Sequence, residues 1–213
     1  MGRSKPKAAK AAKEANENEE NFPTPKWAIR HFLRNSPELG SCGSKWLEPA
    51  CGEGAIISVV DEHFSELEIR WTGIDVRTEC LRPITELGAS FLRRDFLEGD
   101  PAKPLAGLAL DFDVAIGNPP FSLAMDFVKR ALLHADRVVL LLRLGFVSSA
   151  KRGGWVANNV PDMDILADRP SFVGGGNDNS DYAWMTWRRG ASHAVGNLRI
   201  LPPVPKDERK KKE

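Results

Sequence analysis

The sequence lacks an apolar run of about 20 residues, the length a helix needs to cross a bilayer, so no membrane span is expected. It has only three cysteines, Cys42, Cys51 and Cys80, an odd number with no C-x-x-C pair. Neither a disulfide framework nor a redox pair is expected, and free thiols in a reducing cytoplasm are the simplest reading. The four histidines, His31, His63, His134 and His193, are scattered without ligand spacing, so no metal site is expected. The amino terminus has no apolar core of a secretory signal. A mitochondrial-type presequence stays open but is disfavoured, because Glu14, Glu17, Glu19 and Glu20 follow early. There is no G-K-S or G-K-T, which excludes a nucleoside-triphosphate loop. Net charge is only +1.

What is present is a chain of 213 residues, 42% hydrophobic, enough for one well-filled domain. The charge is concentrated at the ends. "MGRSKPKAAKAAK" is purely basic, "EANENEEN" is acidic, and "KDERKKKE" is mixed and mainly basic. Residues 1–20 and 204–213 therefore read as disordered charged tails around a domain of residues 21–203. The tails serve as solubilisers or as weak nucleic-acid anchors; the sequence leaves both open.

Inside the domain, strand-like and helix-like segments alternate. Strand candidates are 45–50, 68–76, 89–96, 112–117, 137–146, 163–169 and 182–189. Helix candidates are 55–64, with Ile56, Val59, Val60 and Phe64 on one face, then 78–88, and 122–135, with Ser122 as its cap. The run 137–146 has an apolar stretch, Val138–Leu142, as in a central strand covered on both faces. Such alternation implies a doubly wound α/β sheet, whose ligands bind beyond the carboxyl ends of the strands.

The unusual residues gather at those ends. "LEPACGEGAI" (47–56) is a strand, a glycine loop and a helix start. Gly52 and Gly54 let a ligand approach the backbone, while Glu48 and Glu53 repel a pyrophosphate and suit a cation. Asp75 follows at the end of the next strand, where an acid can accept from both hydroxyls of a ribose. A ribose with positive charge and no phosphate preference fits S-adenosylmethionine. Asp95, at the end of the third strand, is placed to accept from the adenine amine, with Phe96 as an apolar wall.

The strand at 112–117 ends in Asn118, Pro119, Pro120 and Phe121. An aromatic amine such as N6 of adenine is a weak nucleophile because its lone pair is delocalised. Two acceptors, the Asn118 side-chain oxygen and the Pro119 carbonyl, would draw the nitrogen toward sp³ and aim that lone pair. The prolines stiffen the loop and remove competing donors. Phe121 offers a ring face to an unstacked base.

"NPPF" after "DFDVAIG" resembles the catalytic motif of the amino-methyltransferases, in particular the N6-adenine-specific DNA methyltransferases. The resemblance covers most of the ordered chain. "FPTPKWAIRHFL" (22–33) is similar to the family's first motif, which assigns Thr24 and Pro25 to the methionine part of the cofactor. "LEPACGEGA" is similar to its glycine loop (Glu48, Pro49, Ala50, Gly52, Gly54), "GIDVR" to its ribose acid, and "RRDF" to its adenine contact. Phe172 in "RPSF" resembles an aromatic residue that touches the target base. The cofactor motifs precede the catalytic motif, as in the gamma-type order, and the chain looks like the small phage and prophage members.

The resemblance implies a class I S-adenosylmethionine-dependent methyltransferase fold, Rossmann-like, with a mostly parallel seven-stranded sheet containing one antiparallel strand. It assigns Asn118, Pro119, Pro120 and Phe121 to catalysis, Asn118 also to the cofactor, and Phe121 and Phe172 to the substrate. The expected partner is nucleic acid, DNA in preference to RNA, in the cytoplasm. RNA adenine and protein glutamine methyltransferases use similar loops, the latter generally with tyrosine in place of Phe121. A nucleic-acid-binding subunit without turnover is the non-enzyme alternative; its usual sign, a damaged loop, is missing. Arg143, Arg152, Arg169, Arg188 and Arg189 are either phosphate contacts or solvated charge. Trp155, Trp184 and Trp187 read as core or loop anchors. The loop 174–181 is a candidate lid.

Overall fold

A computed structural model describes residues 23–100, 102–172, 179–191 and 194–210. The expected tail 1–20 and most of the candidate lid lie outside the described residues. Helix α1 (Lys26–Arg34) leads to strand β1 (Lys45–Pro49), α2 (Ala55–His63), β2 (Arg70–Asp75), α3 (Leu81–Glu86) and β3 (Ser90–Arg93). After a long loop come β4 (Phe112–Gly117), α4 (Ala124–His134), β5 (Ala135–Arg143) and the short α5 (Gly153–Val156). Strands β6 (Asp162–Leu166), β7 (Tyr182–Arg188) and β8 (Leu198–Leu201) and helix α6 (Lys206–Lys210) follow.

The strands form one sheet in the order β3-β2-β1-β4-β5-β7-β6-β8. Strands β3, β2, β1, β4 and β5 pair in parallel, while β7 runs antiparallel to both β5 and β6. The sheet has eight strands rather than the expected seven, because Leu198–Leu201 adds to the edge beside β6 in parallel register, Leu198 opposite Met163. Its four residues include the exposed Leu198 and Ile200, too short and too weakly patterned to announce a strand.

Period-two alternation supplies a core on each face. Trp46, Val114, Val139, Leu141 and Trp184 pack against Ile29 and Phe32 of α1 and Ile56 and Val60 of α2. Leu47, Ala115, Val138, Leu140 and Met185 pack against Phe127, Val128 and Ala131 of α4. Burial on both faces is why β5 is unbroken apolar from Val138 to Leu142.

Two further expectations are corrected. Helix α4 is capped by Leu123 without a side-chain bond, because Ser122 belongs to a 3-10 turn over Phe121–Leu123 that feeds the helix. The segment from 204 is ordered as far as it is described, not a disordered tail. Val204 is buried and its N–H donates to Asp168 (2.6 Å), and α6 is held by the pairs Arg34–Glu208 (3.0 Å) and Arg209–Asp168 (2.8 Å).

Candidate active site

The carboxyl ends of β1, β2 and β4 and the loop after β3 surround an open cavity of about 1000 Å³. Its wall is built mainly from turns. After Pro49 the chain must reverse into α2, and it does so through Ala50, Gly52 and Gly54 at φ +60°, +54° and +81°. Glycine tolerates this region, whereas Ala50 is strained there, an outlier of the kind found at ligand clamps. A Cβ on Gly54 would stand 2.6 Å from Leu87 Cδ1, so a side chain there would push Leu87 aside as well as strain the φ of +81°. The N–H of Cys51 donates to the Ile74 carbonyl (2.9 Å), and that of Gly52 to Asp75 Oδ2 (2.9 Å), tying the loop to the end of β2.

Glu48, near the end of β1, is 2% exposed, and its Oε2 has no hydrogen-bond partner among the described residues. Burial holds its carboxyl well above the usual carboxylate range; the backbone bond from Ile57 opposes the rise and the charge of Asp75 adds to it. Asp75 shows the reverse balance. Burial alone would raise it, but hydrogen bonds from the Arg77 side chain and backbone and from Gly52 hold it below the ordinary value. Burial likewise pushes the Cys51 thiol up, so it is an inert wall residue rather than a nucleophile.

On the third strand's loop, Asp95 is exposed and its Oδ1 accepts from the Leu97 N–H (2.8 Å), closing its own turn. Phe96 is a core residue, 5.3 Å by ring centroids from Phe127, yet it contributes to the cavity wall.

Strand β4 delivers the fourth wall. A Cβ on Gly117 would lie 3.2 Å from the Pro49 carbonyl oxygen, so the carboxyl ends of β1 and β4 lie against each other. Asn118 and Pro120 line the cavity, and Pro119 is buried between them. Pro120 caps the Phe121–Leu123 turn, its carbonyl accepting from the Leu123 N–H (3.0 Å). The Phe121 ring meets Tyr182 at 5.4 Å and Phe172 edge-on at 6.0 Å, and the Arg143 guanidinium lies 4.7 Å from its centroid. Phe172 is 9% exposed, so it backs Phe121 rather than presenting a face of its own.

The residues named from the sequence thus divide. Thr24, Glu48, Ala50, Gly52, Gly54, Asp75, Asp95, Phe96 and Asn118 come together around one cavity. Pro25 and Pro49 shape it from behind: Pro25 caps α1, its carbonyl accepting from Ala28 N–H (2.9 Å), and Pro49 ends β1. Glu53 is on the rim and exposed. Sequence reasoning missed Arg77, Leu87 and Phe127 in the wall and the strain at Ala50. Only Arg77 left a signal, a cation two residues after the expected ribose acid.

The arginines also divide. Arg188 and Arg189 lie at the opposite end of the sheet, paired with Asp162 (2.8 Å) and Asp136 (2.5 Å). Arg169 pairs with Asp181 (2.8 Å), and Arg152 donates to the Gly145 and Phe146 carbonyls (2.9 Å each). Trp184 and Trp187 are core anchors, with Trp155 packed against Trp187.

No helix among the described residues is long and apolar enough to cross a membrane, and no group of three or more metal-ligating side chains occurs among them.

No family model and no curated protein sequence matches this chain. Solved structures do. The 23S rRNA methyltransferase ErmE is similar over 82% of this chain and 72% of its own, with TM-score 0.55 and 16% identity. The type I restriction-modification methyltransferase subunit from Streptococcus thermophilus is similar over 89% of this chain, with TM-score 0.66 and 12% identity; this chain spans 52% of it. The plantazolicin methyltransferase BpumL, in complex with SAH, matches over 87% of this chain and 91% of its own, with TM-score 0.51 and 12% identity. Such identities speak to fold alone. The fold is the Rossmann-like, mostly parallel α/β one that these solved methyltransferases share.

Proposed function

We propose that this chain is an S-adenosylmethionine-dependent methyltransferase acting on the exocyclic N6 amine of adenine in DNA. The observation that carries the reading is that two sequence-distant loops open onto one cavity. Strands β1 and β4 end side by side at Pro49 and Gly117, and Gly52 and Gly54 of the glycine loop, Asn118 and Pro120 line the same cavity as Asp75.

The residues fit the cofactor. The buried Glu48 Oε2 is an acceptor suited to an ammonium donor, and a positive neighbour would relieve the cost that burial imposes on its charge. The glycine loop lines the cavity, and Asp75 beside it would take the ribose. Thr24 would face the methionine end, and Asp95 and Phe96 the adenine. When bound, the cofactor supplies a methyl group on positively charged sulfur.

The chain's own part is to position and activate the amine. Asn118 Oδ1 and the Pro119 carbonyl each accept one N–H of the amine, which restores the lone pair and aims it into the cavity. Their attraction grows as the nitrogen gains positive charge, so they favour the transition state over the ground state. A carbonyl from a proline-locked loop needs little reorganisation to do this. The nitrogen, once cationic, releases its proton to water in the open cavity, so no general base is required beforehand. Phe121, held by Tyr182 and Phe172, is a stacking surface for an extruded base, and Arg143 beside it is placed for a nucleotide's phosphate or ring.

Adenine in RNA is the second reading, favoured by the likeness to ErmE, whose name assigns it to 23S rRNA. The test is incubation of the protein with labelled S-adenosylmethionine and separate DNA, RNA and protein pools, followed by nucleoside and peptide analysis. N6-methyladenine in DNA is expected. The same product in RNA alone selects the second reading, and methylglutamine or no transfer overturns both.

A further inference from the structure

The Asp75 carboxylate is fully engaged within the chain. A carboxylate offers about four lone-pair positions. Oδ1 accepts from the Arg77 backbone N–H and Nε, both at 3.0 Å, and Oδ2 accepts from the Gly52 N–H at 2.9 Å and Arg77 Nη2 at 3.2 Å. The two backbone donors are fixed by the turns that follow β1 and β2. The two guanidinium donors belong to a side chain that can rotate away. Arg77 Nη2 also lies 3.3 Å from where a Cβ on Gly52 would stand, so the guanidinium covers the glycine loop on the cavity side. Its side chain is 24% exposed against 6% for Asp75, which leaves it a path to solvent.

From this we propose that Arg77 is a displaceable latch on the ribose seat and sets the affinity of the site for adenosyl ligands. The inference rests on the cofactor reading above. A ribose presents two vicinal O–H donors, and the two positions taken by Nε and Nη2 are the ones they require. Ligand binding exchanges two charge-assisted N–H bonds for two O–H bonds, and the guanidinium moves to the rim of the cavity. Every adenosyl ligand then binds only to the open fraction of the protein, and its apparent affinity is reduced by that fraction. Arg77 is a specificity-determining residue here, since a ligand without a free diol cannot replace what it displaces.

The experiment is calorimetric titration of S-adenosylhomocysteine into the full chain, the Arg77→Ala variant and the Arg77→Lys variant, with thermal melting of each. Lysine keeps the charge but loses the fork, so it releases part of the latch. If the latch is open about one tenth of the time, Arg77→Ala binds about tenfold tighter and Arg77→Lys falls between it and the parent. An alanine variant that binds with unchanged or weaker affinity overturns the latch and makes Arg77 a support for Asp75. If the alanine variant does not fold, the lysine variant decides by the same direction of change. A folded parent and folded variants that all fail to bind overturn the cofactor reading itself.

Discussion

Glu48 holds its carboxyl group in the cavity wall against its own charge, and that makes it testable alone. Its folded pKa is raised, first by burial, above the value it has in the unfolded chain. Unfolded Glu48 therefore ionises first as pH rises, and the folded state loses stability from the ordinary carboxylate range up to the raised value. The loss amounts to about 1.4 kcal/mol for each unit of the rise. Glu48→Gln removes this dependence. The variant is expected to melt higher than the parent at neutral pH and no higher at pH 4, while binding S-adenosylhomocysteine less well. Melting curves at the two pH values, with a titration at neutral pH, check both halves. Equal pH dependence of parent and variant would show that the buried carboxyl carries no such cost. Ala50 was legible as part of the glycine loop, but its strain was not, because that strain lies in φ alone.

At the scale of elements, the strands with strong patterning were legible and the carboxyl-terminal edge was not. Phe112–Gly117 is bounded as its apolar run suggests, and Tyr182–Arg188 differs from expectation by one residue. Strand β8 and helix α6 escaped notice because their order comes from partners far away in sequence. Asp168 shows how: it accepts from the Val204 N–H and pairs with Arg209, clamping the turn into α6. Asp168→Asn weakens two charge-assisted bonds and is expected to cost about 1–3 kcal/mol, read as a lowered melting temperature. If melting is unchanged, the α6 segment contributes nothing to the stability of the domain. The cavity residues were legible for a different reason. Turns at strand ends need glycine, proline and carboxylates, and these stand out against apolar strands. Arg77 was not singled out because an arginine near a strand end is ordinary until the structure shows its fork on Asp75.

For the whole molecule, the sheet is what turns separate motifs into one site. Parallel pairing of β1 with both β2 and β4 brings Glu48, Asp75 and Asn118 to the same edge, although they are far apart along the chain. The antiparallel β7 carries its cationic end, Arg188 and Arg189, to the opposite edge, where aspartates take up the charge. Arg143 stays at the edge that bears the cavity, over Phe121. In the proposed reaction this assembly puts Asn118 against a target amine as its nitrogen becomes positive. The measurement that tests it most directly is single-turnover methyl transfer at saturating cofactor by the parent, Asn118→Ala and Asn118→Asp, with thermal melting of each. Alanine removes one transition-state contact and is expected to slow transfer by about 10²–10³ without loss of the fold. Aspartate keeps an oxygen acceptor and is expected to retain more activity than alanine. An Asn118→Ala protein that folds normally and transfers methyl groups as fast as the parent would contradict the account.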